Sequence, residues 1–485
     1  MKKTHLEPIH FGTDGWRGVI ADDFTFANVE RVAQALARAL IAEGEGFILV
    51  AYDGRFLSKA FAHRVVEVLA GNGWRIFLST SPVPTPATSI GVRHFGCTAG
   101  VMVTASHNPA RFNGIKVKAA FGGSAPAAFT TRVERALDLE PVRRAPLEEA
   151  ESRGQIVDVD LLPIYREALS SKVDLNRRAT RPFLVVSDAL YGTSMDLLAQ
   201  ILPPSWGSVH SLHAILDPRF GGLHPEPIPP HLDSLSETVK MLGADVGLAT
   251  DGDGDRLGVV GPKGEYISPH QVLALLTLHL YRTRGWRGEV AKGFAIGVQV
   301  DRVCEAYGLP LHVTPIGFKY IAELMLSRDI LIGGEESGGF GIRGHLPERD
   351  GLLSALLLVE LMVAEGKGIG ELVEELVALA GPAVYRRRDY LLRPSFGQRL
   401  SERLAQAPPE RLARLRVVRM EDLDGRKFWL ENGAWVLIRP SGTEPVLRVY
   451  IEAPTADQVE TLHAATNQLI QRLLQATGEG ALIRL

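Results

Sequence analysis

Cysteine is almost missing from this chain. Cys97 and Cys304 are the two among 485 residues, and they form no CxxC pair. A disulfide framework and a thiolate zinc site are therefore excluded, and a reducing, cytoplasmic setting is expected. The opening "MKKTHLEPIHFG" has no apolar run behind its lysines, so no secretory signal peptide is expected. The greasiest stretch, "LLSALLLVELMVA" (352–364), is short and carries Glu360, and it reads as a buried core helix rather than a membrane span. Charge of one sign is lacking as well. The formal net charge is only −3, too little to hold nucleic acid or an anionic membrane through a global field. Any phosphate must be gripped locally. No GxxxxGK[ST] loop occurs and no GxSxG elbow surrounds Ser106, which argues against nucleotide hydrolysis and acyl transfer. "GFGIRG" (339–344) matches GxGxxG, but "HLPERDG" follows it where a helix should open, so no dinucleotide site is expected.

The length suits three or four domains. Three segments repeat one pattern of strand, helix and strand with short glycine-containing connections. They are "FILVAYDGR" through "RIFLSTSP", "PFLVVSDALYGT" through "VHSLHAIL", and "VAKGFAIG" through "LPLHVTPIG". Each is the signature of a βαβ unit, whose ligands bind where strands end in polar loops. After them, "KFWLENGAWVLIRPSGTEPVLRVYIEA" (427–453) alternates like a hairpin and precedes a helical stretch at 456–475. The predicted class is α/β: three similar α/β domains with mixed, mostly parallel sheets and a smaller α+β C-terminal domain. Their expected spans are 1–150, 151–260, 261–380 and 381–485, with linkers at 137–155 and 382–394.

"TDGDGDRLG" (250–258) places Asp251, Asp253 and Asp255 at alternate positions. Three carboxylates this close repel one another unless a cation lies among them. Gly252 and Gly254 are expected to take backbone angles closed to other residues, so that the oxygens converge. An all-oxygen set points to a hard ion. The calcium EF-hand fails, because its required Gly and Glu positions hold Arg256 and Pro262. Mg²⁺ fits better, with Arg256 placed to meet a phosphoryl group. "VTASHNPARFNGIK" (103–116) offers Ser106, His107 and Lys116 around two turns. "GGEESGG" (333–339) sets Glu335, Glu336 and Ser337 on a flexible loop able to bond sugar hydroxyls. "RPSGTEP" (439–445) gathers Arg439, Ser441, Gly442 and Thr443 into a compact anion grip.

Together with "FGTDGWRG" (11–18), these motifs resemble the α-D-phosphohexomutase family, in that family's order and over nearly the whole chain. The resemblance implies four domains around a central cleft and exchange of hexose 1-phosphate with hexose 6-phosphate through a 1,6-bisphosphate. It implies that Ser106 carries the phosphoryl group and that Asp251, Asp253 and Asp255 bind Mg²⁺, an oxygen on Ser106 completing the protein's share. Arg17, His107 and Lys116 would line the reacting centre, with Lys116 or His107 moving the hydroxyl proton. Arg256 would support the phosphoryl group or the metal loop, and Lys319 a substrate phosphate or hydroxyl. Glu335 and Ser337 would hold sugar hydroxyls, and Arg439, Ser441, Gly442 and Thr443 the second phosphate. A sugar phosphate is the expected partner, with hexose 1,6-bisphosphate as activator, no nucleic acid or membrane, and a monomer or dimer as the assembly. "GEESGG" and "GFK" (317–319) resemble phosphoglucomutases more than phosphoglucosamine mutases, whose loops typically read GEQSGH and GDADR. The first loop departs from the GEESFG of dedicated phosphoglucomutases, so phosphomannomutase or dual specificity is the alternative. Phosphoglucosamine mutase and a magnesium-dependent sugar phosphatase stand further off.

Overall fold

The computed structural model describes residues 9–12, 14–441, 445–475 and 483–484. The chain divides into two compact units, Met1–Glu289 with Phe318–Leu372, and Val290–Gly317 with Val373–Leu485.

The first unit opens with a six-stranded sheet in the order β1-β5-β4-β2-β3-β6. Its strands are β1 (Trp16–Val19), β2 (Phe47–Tyr52), β3 (Arg75–Ser79), β4 (Ala99–Val103), β5 (Phe112–Ala119) and β6 (Ile156–Val159). β2, β3, β4 and β6 run parallel, while β5 returns antiparallel between β4 and β1. Around it lie α1 (Phe26–Leu40), α2 (Ser58–Gly71), α3 (Thr85–His94), α4 (Ala127–Ala136) and α5 (Leu147–Ser152). α1 starts where the Thr25 hydroxyl accepts from Asn28 N–H, and it buries Val29, Val32, Leu36 and Leu40 at helical spacing. Those residues join Val50, Phe61, Val65, Ile76, Val101 and Ile115 in the core. The stretch expected as a linker at 137–155 holds α5 and leads into β6. Gln155 docks it by donating to the Ala70 and Trp74 carbonyls, so the first sheet runs past residue 150.

A second sheet, ordered β11-β10-β9-β7-β8, follows α6 (Leu161–Ser170). It consists of β7 (Phe183–Asp188), β8 (Gly207–Leu212), β9 (Val246–Thr250), β10 (Leu257–Val260) and β11 (Tyr266–Ile267). β7 is parallel to β8 and β9, and β10 turns back antiparallel to β9. α7 (Leu197–Ile201) is shorter than the sequence suggests, and α8 (Asp233–Leu242) and α9 (Pro269–Leu278) complete this part. The third repeat is β12 (Glu289–Gly293), α10 (Val298–Tyr307) and β13 (Leu311–Thr314), with β12 and β13 parallel. α11 (Phe318–Ser327), the antiparallel hairpin β14 (Ile330–Gly334) and β15 (Phe340–Ile342), and α12 (Gly351–Glu365) return to the first unit. α12 is the greasy stretch, buried nearly all round, and its buried acid, Glu360, pairs with Arg284. No helix among the described residues is long and apolar enough to cross a membrane.

Beyond α13 (Ile369–Ala380) the second unit carries an antiparallel sheet ordered β17-β18-β19-β20-β21-β16-β22. Its strands are β16 (Val384–Leu391), β17 (Arg411–Leu412), β18 (Leu415–Glu421), β19 (Arg426–Leu430), β20 (Trp435–Pro440), β21 (Val446–Ala453) and β22 (Ile483–Arg484). α14 (Pro394–Gln406) and α15 (Ala456–Gln475) cover it around Leu404, Phe428, Val436, Val449 and Leu462. The arginine-rich stretch expected as a linker at 382–394 is β16. Its arginines find partners on the sheet and on α15, Arg387 with Asp389 and Arg388 with Glu460.

Candidate active site at the acidic loop

Ser106 lies in the loop that joins β4 to β5, with φ 52°, a left-handed conformation uncommon outside glycine and costly unless its surroundings impose it. The surroundings do so. Ser106 N–H donates to Thr104 Oγ1 at 2.9 Å. Arg55, in the loop after β2, donates through Nη2 to the Ser106 and Asn108 carbonyls, both at 2.6 Å. Its Nη1 reaches the carbonyls of Pro109 at 3.0 Å and Phe112 at 3.1 Å. Asp53 holds the other edge of the guanidinium at 3.1 Å. Arg17, on β1, donates to Asn108 Oδ1 at 2.6 Å. The loop presents a buried hydroxyl, with Ser106 Oγ donating to Asp251 Oδ2 at 2.9 Å and lying 3.5 Å from His107 Nδ1. Burial first, then the cations Arg256 and Arg17, hold the His107 imidazole well below its ordinary pKa.

The acidic loop connects β9 to β10. Asp251, Asp253 and Asp255 are fully buried, and ligand oxygens from all three lie within 4.8 Å of one another. Asp251 Oδ1 accepts from the Asp255 and Arg256 N–H groups at 2.9 and 3.1 Å, which ties the loop into a turn. Thr85, at the start of α3, donates its hydroxyl to Asp253 Oδ2 at 2.6 Å. The two glycines differ in role. Gly254 takes φ +72°, as expected, but no positive φ accompanies Gly252. Gly252 is needed for close approach, because a Cβ there would stand 2.7 Å from the Ser106 carbonyl oxygen. Burial and repulsion from Asp255 and Asp253 push the Asp251 carboxyl well above the usual range. At Asp253 burial acts in the same direction, but Lys116 and the Thr85 hydroxyl outweigh it and the pKa falls. Asp253 Oδ1 and Asp255 Oδ1 are buried with no hydrogen-bond partner among the described residues. Unpaired buried carboxylate oxygens are costly, and a hard divalent cation coordinated by them removes that cost. The donor set fits magnesium.

Lys116 descends from β5 into the same cluster. Its ammonium lies 2.8 Å from Asp253, 3.0 Å from Asp255 and 2.9 Å from Asp14. Burial would lower its pKa, but these carboxylates overcome that and raise it. Arg256 lies 3.9 Å from Asp255 and 3.6 Å from Glu226. Glu335, buried just after β14, is drawn in by Arg349, whose Nη1 lies 3.7 Å away. The loop of Glu335 and Ser337 is also tied to the acidic loop, since Leu257 N–H donates to the Gly338 carbonyl at 2.9 Å. Ser337 is half-buried there. Lys319 sits on α11, its ammonium over the Tyr320 ring, next to Phe318, whose ring faces Arg349 at 5.7 Å. In the second unit Arg439, near the end of β20, donates to Asp424 at 2.9 Å, and Ser441 N–H donates to the Val446 carbonyl at 2.8 Å. Gly442 and Thr443 lie outside the described residues.

Three residues of the site escape sequence reasoning. Asp14, inside the motif that supplied Arg17, pairs with Lys116 and Arg349. Arg349 bridges Asp14 at 2.7 Å and Asp255 at 2.9 Å, and it comes from "HLPERDG", the stretch that served above only to discount a dinucleotide loop. Arg55 closes "AYDGR", where only a strand end was legible.

Family models match the chain in four consecutive parts. Those for phosphoglucomutase/phosphomannomutase alpha/beta/alpha domains I, II and III cover residues 8–141, 163–264 and 268–379, and that for the C-terminal domain covers 399–469. The chain belongs to the phosphoglucomutase/phosphomannomutase family. A relative from Methanothermobacter thermautotrophicus, named a probable phosphoglucosamine mutase, is 30% identical over 96% of this chain and 99% of its own. A phosphoglucomutase/phosphomannomutase of Thermococcus kodakarensis is 29% identical over the same shares. A crystal structure from Thermus thermophilus, provisionally named a phosphomannomutase, superposes with a TM-score of 0.85 at 38% identity, covering 96% of this chain and 99% of that one. Members of this family are isomerases that move a phosphoryl group within a hexose phosphate. Gly252→Ala is expected to push the acidic loop off the serine loop and lower kcat by roughly 10- to 100-fold, the scale of a misplacement near 1 Å. Steady-state kinetics beside a thermal melt checks this, and a wild-type kcat would show that the approach is not needed.

Proposed function

We propose that this phosphohexomutase exchanges hexose 1-phosphate and hexose 6-phosphate through a phosphoserine at Ser106, with glucose phosphate as its preferred substrate. The observation that carries the reading is the Ser106 hydroxyl bonded at 2.9 Å to a buried triad of aspartates. A phosphoryl group on Ser106 Oγ passes to the free hydroxyl of a bound hexose monophosphate. The P–O bond to serine breaks, a P–O bond to the sugar forms, and the hydroxyl proton leaves to a neighbouring base. The 1,6-bisphosphate then returns its other phosphoryl group to Ser106 Oγ. Magnesium on Asp251, Asp253 and Asp255 supplies charge neutralisation for the group in transfer. Arg17, at the serine loop, and Arg256, beside Asp255, add fixed positive charge for the phosphoryl oxygens. Lys116 or His107 moves the proton of the attacking hydroxyl. Glu335, held by Arg349, and Ser337 take sugar hydroxyls, and the "RPSGTEP" grip takes the phosphate that does not react.

The choice of sugar rests on the "GEESGG" loop, which carries Glu336 where phosphoglucosamine mutases typically carry glutamine. The name of the Methanothermobacter relative favours glucosamine phosphate, and that of the Thermococcus relative allows mannose phosphate. Turnover of glucose, mannose and glucosamine 1-phosphates should be compared side by side, each with Mg²⁺ and its matching bisphosphate. The expected order in kcat/KM is glucose, then mannose, then glucosamine. A larger value for glucosamine 1-phosphate would replace the substrate named here and leave the mechanism standing. Release of inorganic phosphate without isomerisation would overturn both.

A further inference from the structure

The first unit holds a second concave site, a cavity of about 320 Å³, at the lower end of the size range of small-molecule pockets. Arg93 and His94 line it from the end of α3, Ser171 and Lys172 from just beyond α6, and His345 from the loop after β15. None of the residues of the acidic cluster lines it, and neither does any carboxylate among the described residues. Two helices present their carbonyl ends here, and cations in a last turn answer such ends. That accounts for Arg93 and His94 on α3. It does not account for Lys172, which lies past the last turn of α6, or for His345, which belongs to neither helix. His345 is 3% exposed, bonded through Nε2 to Asp350 at 2.8 Å, while its Nδ1 has no hydrogen-bond partner among the described residues. A hollow lined by an arginine, a lysine and a histidine and free of acids is a place for an anionic ligand.

Two stiff elements join this cavity to the acidic loop. α3 has Arg93 and His94 at one end and Thr85 at the other, where Thr85 bonds Asp253 through both its N–H (2.8 Å) and its hydroxyl (2.6 Å). Ten helical residues set those ends about 15 Å apart. The second connection is the run from His345 to Asp350. Arg93 donates to the His345 carbonyl, and Asp350 accepts from Tyr165 on α6 at 2.9 Å and from the N–H of Leu353 in α12. Between them lie Glu348 and Arg349, which face Lys118, Asp14 and Asp255. A ligand that moved His345 or the end of α3 would therefore act on the same rigid segments that carry Thr85 and Arg349 to the reacting centre.

We infer that this cavity is a regulatory site for a small phosphorylated metabolite, its phosphate on Arg93, His94 and Lys172, and that filling it changes turnover at the acidic loop. The test titrates inorganic phosphate, with Mg²⁺ in excess, into the full-length wild type and into Lys172→Gln and Arg93→Gln, by calorimetry and by kcat at saturating substrate. Saturating substrate removes competition at the active site, so a change in kcat reports a second site. The wild type is expected to bind phosphate at two classes of site and to change kcat at least 2-fold. Each variant should weaken one class at least 10-fold, keep the basal kcat, and lose the response. Lys172→Gln leaves the Arg93–His345 bond intact, so the result does not hinge on that contact. One class of site with equal affinity in all three proteins overturns the inference, as does a wild-type kcat that phosphate does not move. Either result leaves the phosphoserine mechanism untouched.

Discussion

Ser106→Ala is expected to cost on the order of 10⁴-fold or more in kcat, because the variant keeps the cations and the metal ligands but has no atom to carry the phosphoryl group. Added hexose 1,6-bisphosphate should not restore it, since the bisphosphate would have no acceptor for its second phosphate. Two further readouts separate loss of the carrier from loss of fold. Intact mass of the wild type should show a species heavier by one phosphoryl group, and the variant should lack it. The thermal transition should move little, because the Ser106 backbone remains held by Thr104 and Arg55. Turnover near the wild-type level in Ser106→Ala would sink the phosphoserine scheme.

The second large effect is expected at a residue that touches no substrate. Arg55 is 3% exposed and spreads its guanidinium over four carbonyls of the serine loop while pairing with Asp53. Phe220 lies against it at 4.8 Å, and that same ring borders Gly252 of the acidic loop. Arg55→Leu strands the buried Asp53 carboxylate, and breaking a buried pair in this way costs about 3–5 kcal/mol, enough to lower the first melting transition clearly. Arg55→Lys is the more telling variant. An ammonium can still answer Asp53 but cannot span four acceptors in a plane. Stability should then largely return, while kcat stays lower by roughly 100-fold and KM changes little. A Lys variant with full kcat would mean that the left-handed Ser106 backbone is held by Thr104 and the turn alone.

The repeats, the C-terminal hairpin and the acidic loop were legible because each leaves a local signal: apolar runs ending in polar loops, strict alternation, or carboxylates too close to coexist without a cation. Ser106 and Lys116 were legible through motifs that match a family. What local pattern could not show is the company these residues keep. Arg55, Asp14 and Arg349 are ordinary charged residues in their own segments, and only the sheet order brings them to one place. β16 misled because three adjacent arginines look solvated, although a strand sends them to alternate faces and Asp389 on β16 itself and Glu460 on α15 supply acids. β6 misled for a related reason: its partner strand is β3, about eighty residues earlier.

The cluster around Lys116 also sets an order of events during folding. Its closing contacts join residues 145 apart, Ser106 with Asp251, and 335 apart, Asp14 with Arg349. Loop closure over such spans is paid in chain entropy before any contact offsets it. The first sheet is complete once β6 has been made, but the acid cluster cannot exist until β1, β5, the acidic loop and the 345–350 run have all arrived. Until then its carboxylates and ammonium groups stay in water. The charged centre thus cannot close before Arg349 has been made, however early the first sheet forms.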